Sequence, residues 1–251
     1  MASRLLGLYL NVAKGAAMWK WVLPTFAATC ALIASPSLAH ADAAAAAPVL
    51  DQSQTVTSPF ENQPIPGDPA NPAYRIAQTF TAGVSGRLDR VELLLQRQFN
   101  ASELLVEIRS VAGGFPTDTV LATMAVPESA VPPVGQPFWV SVPVTTPVES
   151  SAGTQYAIVV YAPSGDCRNN ADCWFWWAGE NNPYAAGVAL FALDGHTWLG
   201  SNAPSLDFDF KTHVDALPAS KDQCKQGGWQ AFSQFKNQGA CVSFVETNTS
   251  K

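Results

Sequence analysis

The stretch CRNNADCWFWWAGENNPYAAG, residues 167–187, gathers the side chains of this chain that most suit molecular recognition. Trp174, Phe175, Trp176 and Trp177 run consecutively. Side chains alternate across a strand, so Trp174 and Trp176 share one face and Phe175 and Trp177 the other. Two indoles about 7 Å apart on one face are spaced for sugar rings to stack on them. Glu180, Asn181, Asn182 and Tyr184 follow at once, with groups that hydrogen-bond the hydroxyls of a polyol. Trp198, in DGHTW, is the natural partner ring. A Cys167–Cys173 bridge would stiffen the rim of such a site and lower the cost of ordering it. The same rings also suit the space between two packed sheets. Carbohydrate platform and core both stand on the residues alone.

Asp194, Asp207 and Asp209 are hard oxygen ligands near expected strand ends, and calcium takes about six to eight such oxygens. The DxD spacing at 207 and 209 puts both carboxylates on one strand face. Catalytic patterns are sparser. His196 and His213 are the histidines beyond residue 41, and neither lies in a metal motif such as HExxH. There is no GxSxG elbow, and Gly113-Gly114 precede Phe-Pro and a strand, which is turn chemistry. A glycoside hydrolase needs two carboxylates about 5 to 9.5 Å apart. Glu180 is the candidate acid, with a pKa raised by an apolar wall of tryptophans, but no partner carboxylate identifies itself. A non-catalytic protein is the expectation.

The N-terminal MWKWVLPTFAATCALIASPSLAHADA carries Lys20, an apolar run from Val22 to Ala34 and the small-residue exit Ala39-His40-Ala41. This is the pattern of a secretory signal peptide, residues 1–41, cleaved after Ala41. Pro24 interrupts the run, which falls short of the about 20 apolar residues of a permanent span. Met18 offers an alternative start, and Cys30 lacks the flanking residues of a lipidation site. Removing residues 1–41 takes away Arg4, Lys14 and Lys20 and no acid, so a formal charge of −6 becomes −9. That balance argues against nucleic acid and anionic membranes, which require a basic patch. Cys167, Cys173, Cys224 and Cys241 remain, an even number suited to an oxidising compartment. Sequence-local pairing, Cys167 with Cys173 and Cys224 with Cys241, is favoured over zinc, because no CxxC pair is present. The chain reads as secreted or cell-surface associated, without a transmembrane segment after cleavage, and a glycan or an envelope protein is its expected partner.

Residues 42–74 read as linker and N-terminal edge, rich in Ala, Pro and Asn. From residue 75 to 216 the pattern is about nine short β-branched and aromatic runs separated by turn residues, which predicts an all-β antiparallel sandwich. In RIAQTFTA, Ile76, Gln78 and Phe80 oppose Ala77, Thr79 and Thr81. Leu93, Leu95, Phe138, Val140, Ile158 and Val160 are candidate core. Residues 217–251 predict a small helical hairpin stapled by Cys224 and Cys241, with Ser220 as N-cap, Trp229, Phe232 and Phe235 on one face, and Gly239 ending the turn.

The runs AQTFTAGVSGRLDRVELLL, LLVEIRSVAGGFPTDTVLATMAVP, GTQYAIVVYAPSG and DFDFKTHV together resemble the choice-of-anchor type of extracellular bacterial β-sandwich domain, over nearly all of residues 75–214. The resemblance implies a jelly-roll fold without a known catalytic set, carried on exported proteins. SKDQCKQGGWQAFSQFKNQGACVSFV is similar to a short Cys-containing tail that closes many secreted bacterial proteins. Residues 217–251 carry neither a sorting signal nor a terminal hydrophobic span, so the expectation is release or non-covalent retention.

Overall fold

The computed structural model describes residues 47–59, 61–65, 73–99, 101–133, 135–164, 167, 173–200, 206–232 and 234–248. The expected signal peptide, its Ala41 exit and Cys30 lie outside the described residues. Two antiparallel sheets form a jelly-roll-like sandwich. One holds eight strands: β1 (Val49–Gln54), β2 (Asn62–Ile65), β4 (Gly86–Arg97), β7 (Phe138–Pro143), β8 (Glu149–Ser150), β10 (Trp174–Gly179), β13 (Asp207–Phe208) and β14 (Phe210–Ala216). Its path is β1-β14-β4-β10-β13, with β2 on β10, and β7 and β8 on β4. The other runs β12 (Trp198–Gly200), β11 (Ala189–Ala192), β3 (Arg75–Thr81), β9 (Gln155–Tyr161), β5 (Leu104–Ala112), β6 (Phe115–Val126).

Alternation decides which residues fill the space between the sheets. Ile76 and Phe80 of β3, Leu93 and Leu95 of β4, and Ile158 and Val160 of β9 all enter one buried cluster. Ala77 of β3 and Val159 of β9 face the opposite way, into a second cluster with Leu190 and Trp198. Phe138 departs from the expected core. It is 50% exposed, because β7 pairs with β4 near the sheet edge.

Fourteen strands appear among the described residues rather than about nine. Two expected runs each divide, one at the Asp194–Thr197 turn, where Gly195 has φ +81°, and one at Asp209. β1, β2 and β8 are additional. β1 pairs along β14 and β2 along β10, so the segment read as linker and edge contributes two strands of the sandwich.

The C-terminal segment folds around Cys224, Phe232, Cys241 and Val245, with Trp229, Phe235, Val242 and Phe244 packed against them. Cys224 and Cys241 are disulfide-bonded, as are Cys167 and Cys173. Ser220 opens helix α1 (Lys221–Cys224), and its N–H donates to Gln223 Oε1. Gly239 does not end a helix. It lies in the first turn of α2 (Gln238–Asn248), because Asn237 Oδ1 accepts the Ala240 N–H at 2.9 Å and caps the helix start.

A buried polar network joins the two sheets. Asp207 and Asp209 have no exposed surface, and each carboxylate is held by two donors. Gln78 of β3 donates to Asp207 Oδ1 at 2.9 Å, and the Tyr184 N–H donates to Oδ2 at 3.0 Å. Gln54 of β1 donates to Asp209 Oδ1, and the Thr57 hydroxyl to Oδ2, both at 2.7 Å. Gln78 Oε1 in turn accepts the Phe208 N–H at 2.8 Å. Burial pushes the Asp209 carboxyl up to about 6, against the opposing pull of Thr57 and Gln54. Burial likewise raises Asp207, against Gln78 and the Tyr184 N–H.

Two predictions follow from this packing. Trp176 is fully buried, stacks on Phe208 with centroids 4.4 Å apart, and donates its indole N–H to the Asp209 carbonyl at 2.8 Å. Trp176→Ala should therefore cost about 3–5 kcal/mol in urea unfolding, and Trp177→Ala, on the opposite face, about 1 kcal/mol. Equal costs would contradict this division of β10 into an inner and an outer face. The second prediction concerns pH. A carboxyl whose folded pKa lies above its unfolded value adds stability that is complete below the unfolded pKa and is lost as pH rises through the folded one. For Asp209 that window runs from about 4 to about 6. Between pH 5 and 7.5 its share of the unfolding free energy should fall by about 1 kcal/mol. His213, whose pKa burial and Arg90 lower, acts in the opposite sense, so the check is the difference in slope between the wild-type protein and Asp209→Asn. Identical slopes would show that Asp209 does not titrate in this window.

Candidate functional site

The aromatic run of β10 divides as alternation requires, but its inner pair is structural. Trp174 and Trp176 have no exposed surface, and a ring without an open face cannot stack on a sugar. Their indole N–H groups donate to the Ser102 carbonyl at 2.7 Å and to that of Asp209. Trp177 and Phe175 point outward and are half-buried, with the Trp177 N–H donating to Gln96 Oε1 at 3.2 Å. Trp198 is 8% exposed and packs with Leu190 in the second apolar cluster. The predicted rings therefore do not form one platform. Trp139, absent from the sequence reading, is more open: it is 36% exposed, lies opposite Leu94, and carries Lys211 Nζ 3.9 Å from its ring centroid.

The Cys167–Cys173 bridge precedes β10, whereas Asn181 and Asn182 follow it. About 20 Å of strand separates the two, so the bridge does not brace the asparagine turn.

The three aspartates do not converge as calcium ligands. Asp194 closes its own exposed turn: Oδ1 accepts the N–H groups of His196 and Thr197, and Oδ2 accepts the Thr197 hydroxyl at 2.6 Å. Those bonds, the Thr197 hydroxyl first, hold its carboxyl well below the usual carboxylate range. Asp207 and Asp209 share no common opening, since each is surrounded by N–H and O–H donors. Among the described residues no three His, Cys, Asp or Glu side chains gather as a metal site.

Glu180 is exposed rather than walled by tryptophan, and its neighbour is Glu61. Partial burial, then the hydrogen bond and charge of Glu180, raise the Glu61 carboxyl. His213 sits between Arg90 and Glu92, with Nδ1 3.0 Å from Arg90 Nη2 and Nε2 2.9 Å from a Glu92 oxygen.

The turn after β10 is the part of the predicted site that meets open space. Asn181 and Asn182 both take left-handed backbone, with φ +66° and +52°. Asparagine tolerates this region better than other non-glycine residues, and the turn stays in it where neighbours hold it. Tyr184 does so. Its N–H is bound by Asp207, and its hydroxyl donates to Gln52 Oε1 at 2.9 Å while accepting the Thr81 N–H. Burial pushes its phenol up to about 12. Tyr184 is thus an anchor, 8% exposed, rather than a contact for a ligand. Beyond it Gly187 lies so close to β3 that a Cβ would stand 1.8 Å from the Thr79 carbonyl oxygen.

Asn182 lines a groove of about 510 Å³ with Val188, Leu190 and Gly200, faced by Gly114 and Phe115 of the β5–β6 hairpin. Gly113 and Gly114, with φ +61° and +85°, form the two-residue hairpin turn. The hairpin meets the β11–β12 turn through Asp118 and His196, whose oxygen and Nδ1 are 2.7 Å apart. A second hollow of about 240 Å³ adjoins the groove, shares Gly114 and Val188 with it, and is lined by Thr79, Thr81 and Gln155. Only Asn182 of the predicted contacts lines this groove. Phe115, 45% exposed, was unmarked in the sequence beyond its place after the Gly-Gly turn.

No protein-family model matches this chain, so the resemblance to choice-of-anchor domains has no match of that kind behind it. No curated protein matches it either. Among solved structures it is similar to the cysteine protease and lectin-like domains of Cwp84, a surface layer associated protein of Clostridium difficile. The identity is 16%, with a TM-score of 0.36, over 56% of this chain and 32% of that one. The chain thus spans about a third of the length of that structure, and the reading of the site rests on the site's own residues.

Proposed function

We propose that this chain is an exported, non-catalytic β-sandwich that acts in interaction or adhesion at the cell envelope or outside the cell, with carbohydrate as the ligand of the Asn182 groove. The observation that carries the reading is the left-handed asparagine pair, held by Tyr184 and Asp207 at the mouth of a groove that also presents Phe115. An amide offers both donors and an acceptor to sugar hydroxyls, and an exposed ring offers apolar contact. A turn already fixed before binding keeps the ordering cost low.

Export is supported by the leader pattern and by two disulfides. Among the described residues no helix is long and apolar enough to cross a membrane. The non-catalytic reading is supported by Glu180, the candidate acid of the sequence, which is exposed rather than walled by tryptophan. A protein partner is the second reading. It is favoured by Trp139, a large ring that stands exposed on β7.

The test is calorimetric titration of the purified protein with a panel of soluble oligosaccharides. Asn182→Gly keeps the left-handed backbone and removes the amide. It should weaken binding about ten-fold while leaving the unfolding midpoint within experimental error of the wild-type value. Silence across the panel, or an affinity indifferent to Asn182→Gly, would overturn the carbohydrate reading.

A further inference from the structure

We infer that the groove takes an internal stretch of an uncharged, linear glycan, an inference that rests on the carbohydrate reading above and specifies its ligand. The first observation is charge. The main groove is lined by glycine, apolar residues, Phe115 and Asn182, and the adjoining hollow by Thr79, Thr81, Gln155 and small residues. None of these ionises. The charged side chains of the two turns that meet beside it, Asp118 and His196, are engaged with each other, and Asp194 is closed within its own turn. A uronate, sialylated or sulfated glycan would find no Lys or Arg among these residues to neutralise it, on a chain whose formal charge is −6 overall. Neutral hydroxyls match the amides of Asn182 and Gln155 without that penalty.

The second observation is continuity. The two hollows meet at Gly114 and Val188, and a Cβ at Gly114 would have no heavy atom within 4 Å. The glycine tip of the hairpin therefore leaves open space where the hollows join. A path running from Asn182 past Gly114 to Gln155 suits several sugar units in a row rather than one terminal residue. Thr79 and Thr81 secure the wall of this path. Val188 donates its N–H to Thr79 Oγ1 at 2.9 Å, and the Thr81 hydroxyl donates to the Ala186 carbonyl at 2.9 Å. Asn182 and Gln155 are the amide side chains at the two ends.

The test is calorimetry on the full purified chain with neutral gluco-, xylo- and chito-oligosaccharides of increasing length, beside a ladder of oligogalacturonides. For one neutral series, affinity should rise at least ten-fold from disaccharide to about pentasaccharide and then level. Blocking the reducing end should change it less than two-fold. Gln155→Ala should weaken the longer oligomers about five-fold and leave the disaccharide unaffected, whereas Asn182→Gly should weaken both. Tighter binding of the uronide ladder, or a disaccharide that binds as well as a pentasaccharide, would overturn this inference and leave the carbohydrate reading standing. Silence in both ladders would remove the two together. The length series on the wild-type chain decides the matter even where Gln155→Ala fails to fold.

Discussion

Two carboxylates without exposed surface, Asp207 and Asp209, set the terms on which the sandwich closes. A buried carboxylate left without donors would cost several kcal/mol, so each obliges other parts of the chain to bring hydrogen-bond donors to it. Asp207 draws Gln78 from the opposite sheet and the N–H of Tyr184 from the turn after β10. Asp209 draws Gln54 of β1 and the hydroxyl of Thr57. Gln78 answers with its own oxygen, accepting the Phe208 N–H, so β3 and β13 are tied in both directions. A network satisfied at every member specifies one arrangement, because a shifted strand would strand a charge in the interior.

The tryptophans depend on the same place in the fold. Trp176 donates to the carbonyl of Asp209 and lies flat on Phe208, whose N–H is held by Gln78. An indole buried here brings a large apolar area together with one donor, and the donor finds its acceptor where the chain passes from β13 to β14. This is why the aromatic run of β10 belongs to the interior on one side and can meet solvent only on the other. A run that looks like a ligand surface and a run that packs two sheets contain the same residue types. The covering strands decide between them.

Alternation made much of the sandwich legible. Ile76 and Phe80 against Ala77, the turn at Gly113-Gly114, and the local pairing of the cysteines all reflect relations between residues close in sequence. The partners of the aspartates were not legible, because Gln78 is 129 positions from Asp207 and Gln54 is 155 from Asp209. Before those partners are known, a DxD pair reads equally as a cation site. Gly239 misleads for a local reason, since a glycine that can stop a helix can also stand in the first turn when Asn237 caps it. The groove was legible only at Asn182. Its other walls come from the hairpin tip at Gly114 and Phe115 and from β11 and β12, and no spacing in the chain relates them.

The left-handed turn at Asn181 and Asn182 gains meaning from this architecture. Asparagine tolerates left-handed backbone, but a turn built on two of them keeps one shape only where neighbours hold it. The turn is not free, because Tyr184 is pinned at its backbone by Asp207 and at its hydroxyl by Gln52 and the Thr81 N–H. Its ring also meets Phe210 edge-on, with centroids 5.1 Å apart. Pro183 fixes φ between the asparagines and this anchor and narrows what the turn can adopt. The carboxylate that ties the sheets together therefore also holds an exposed amide in one conformation. A substitution that loosens Asp207 should be felt first at the groove, through Tyr184 and the asparagine turn.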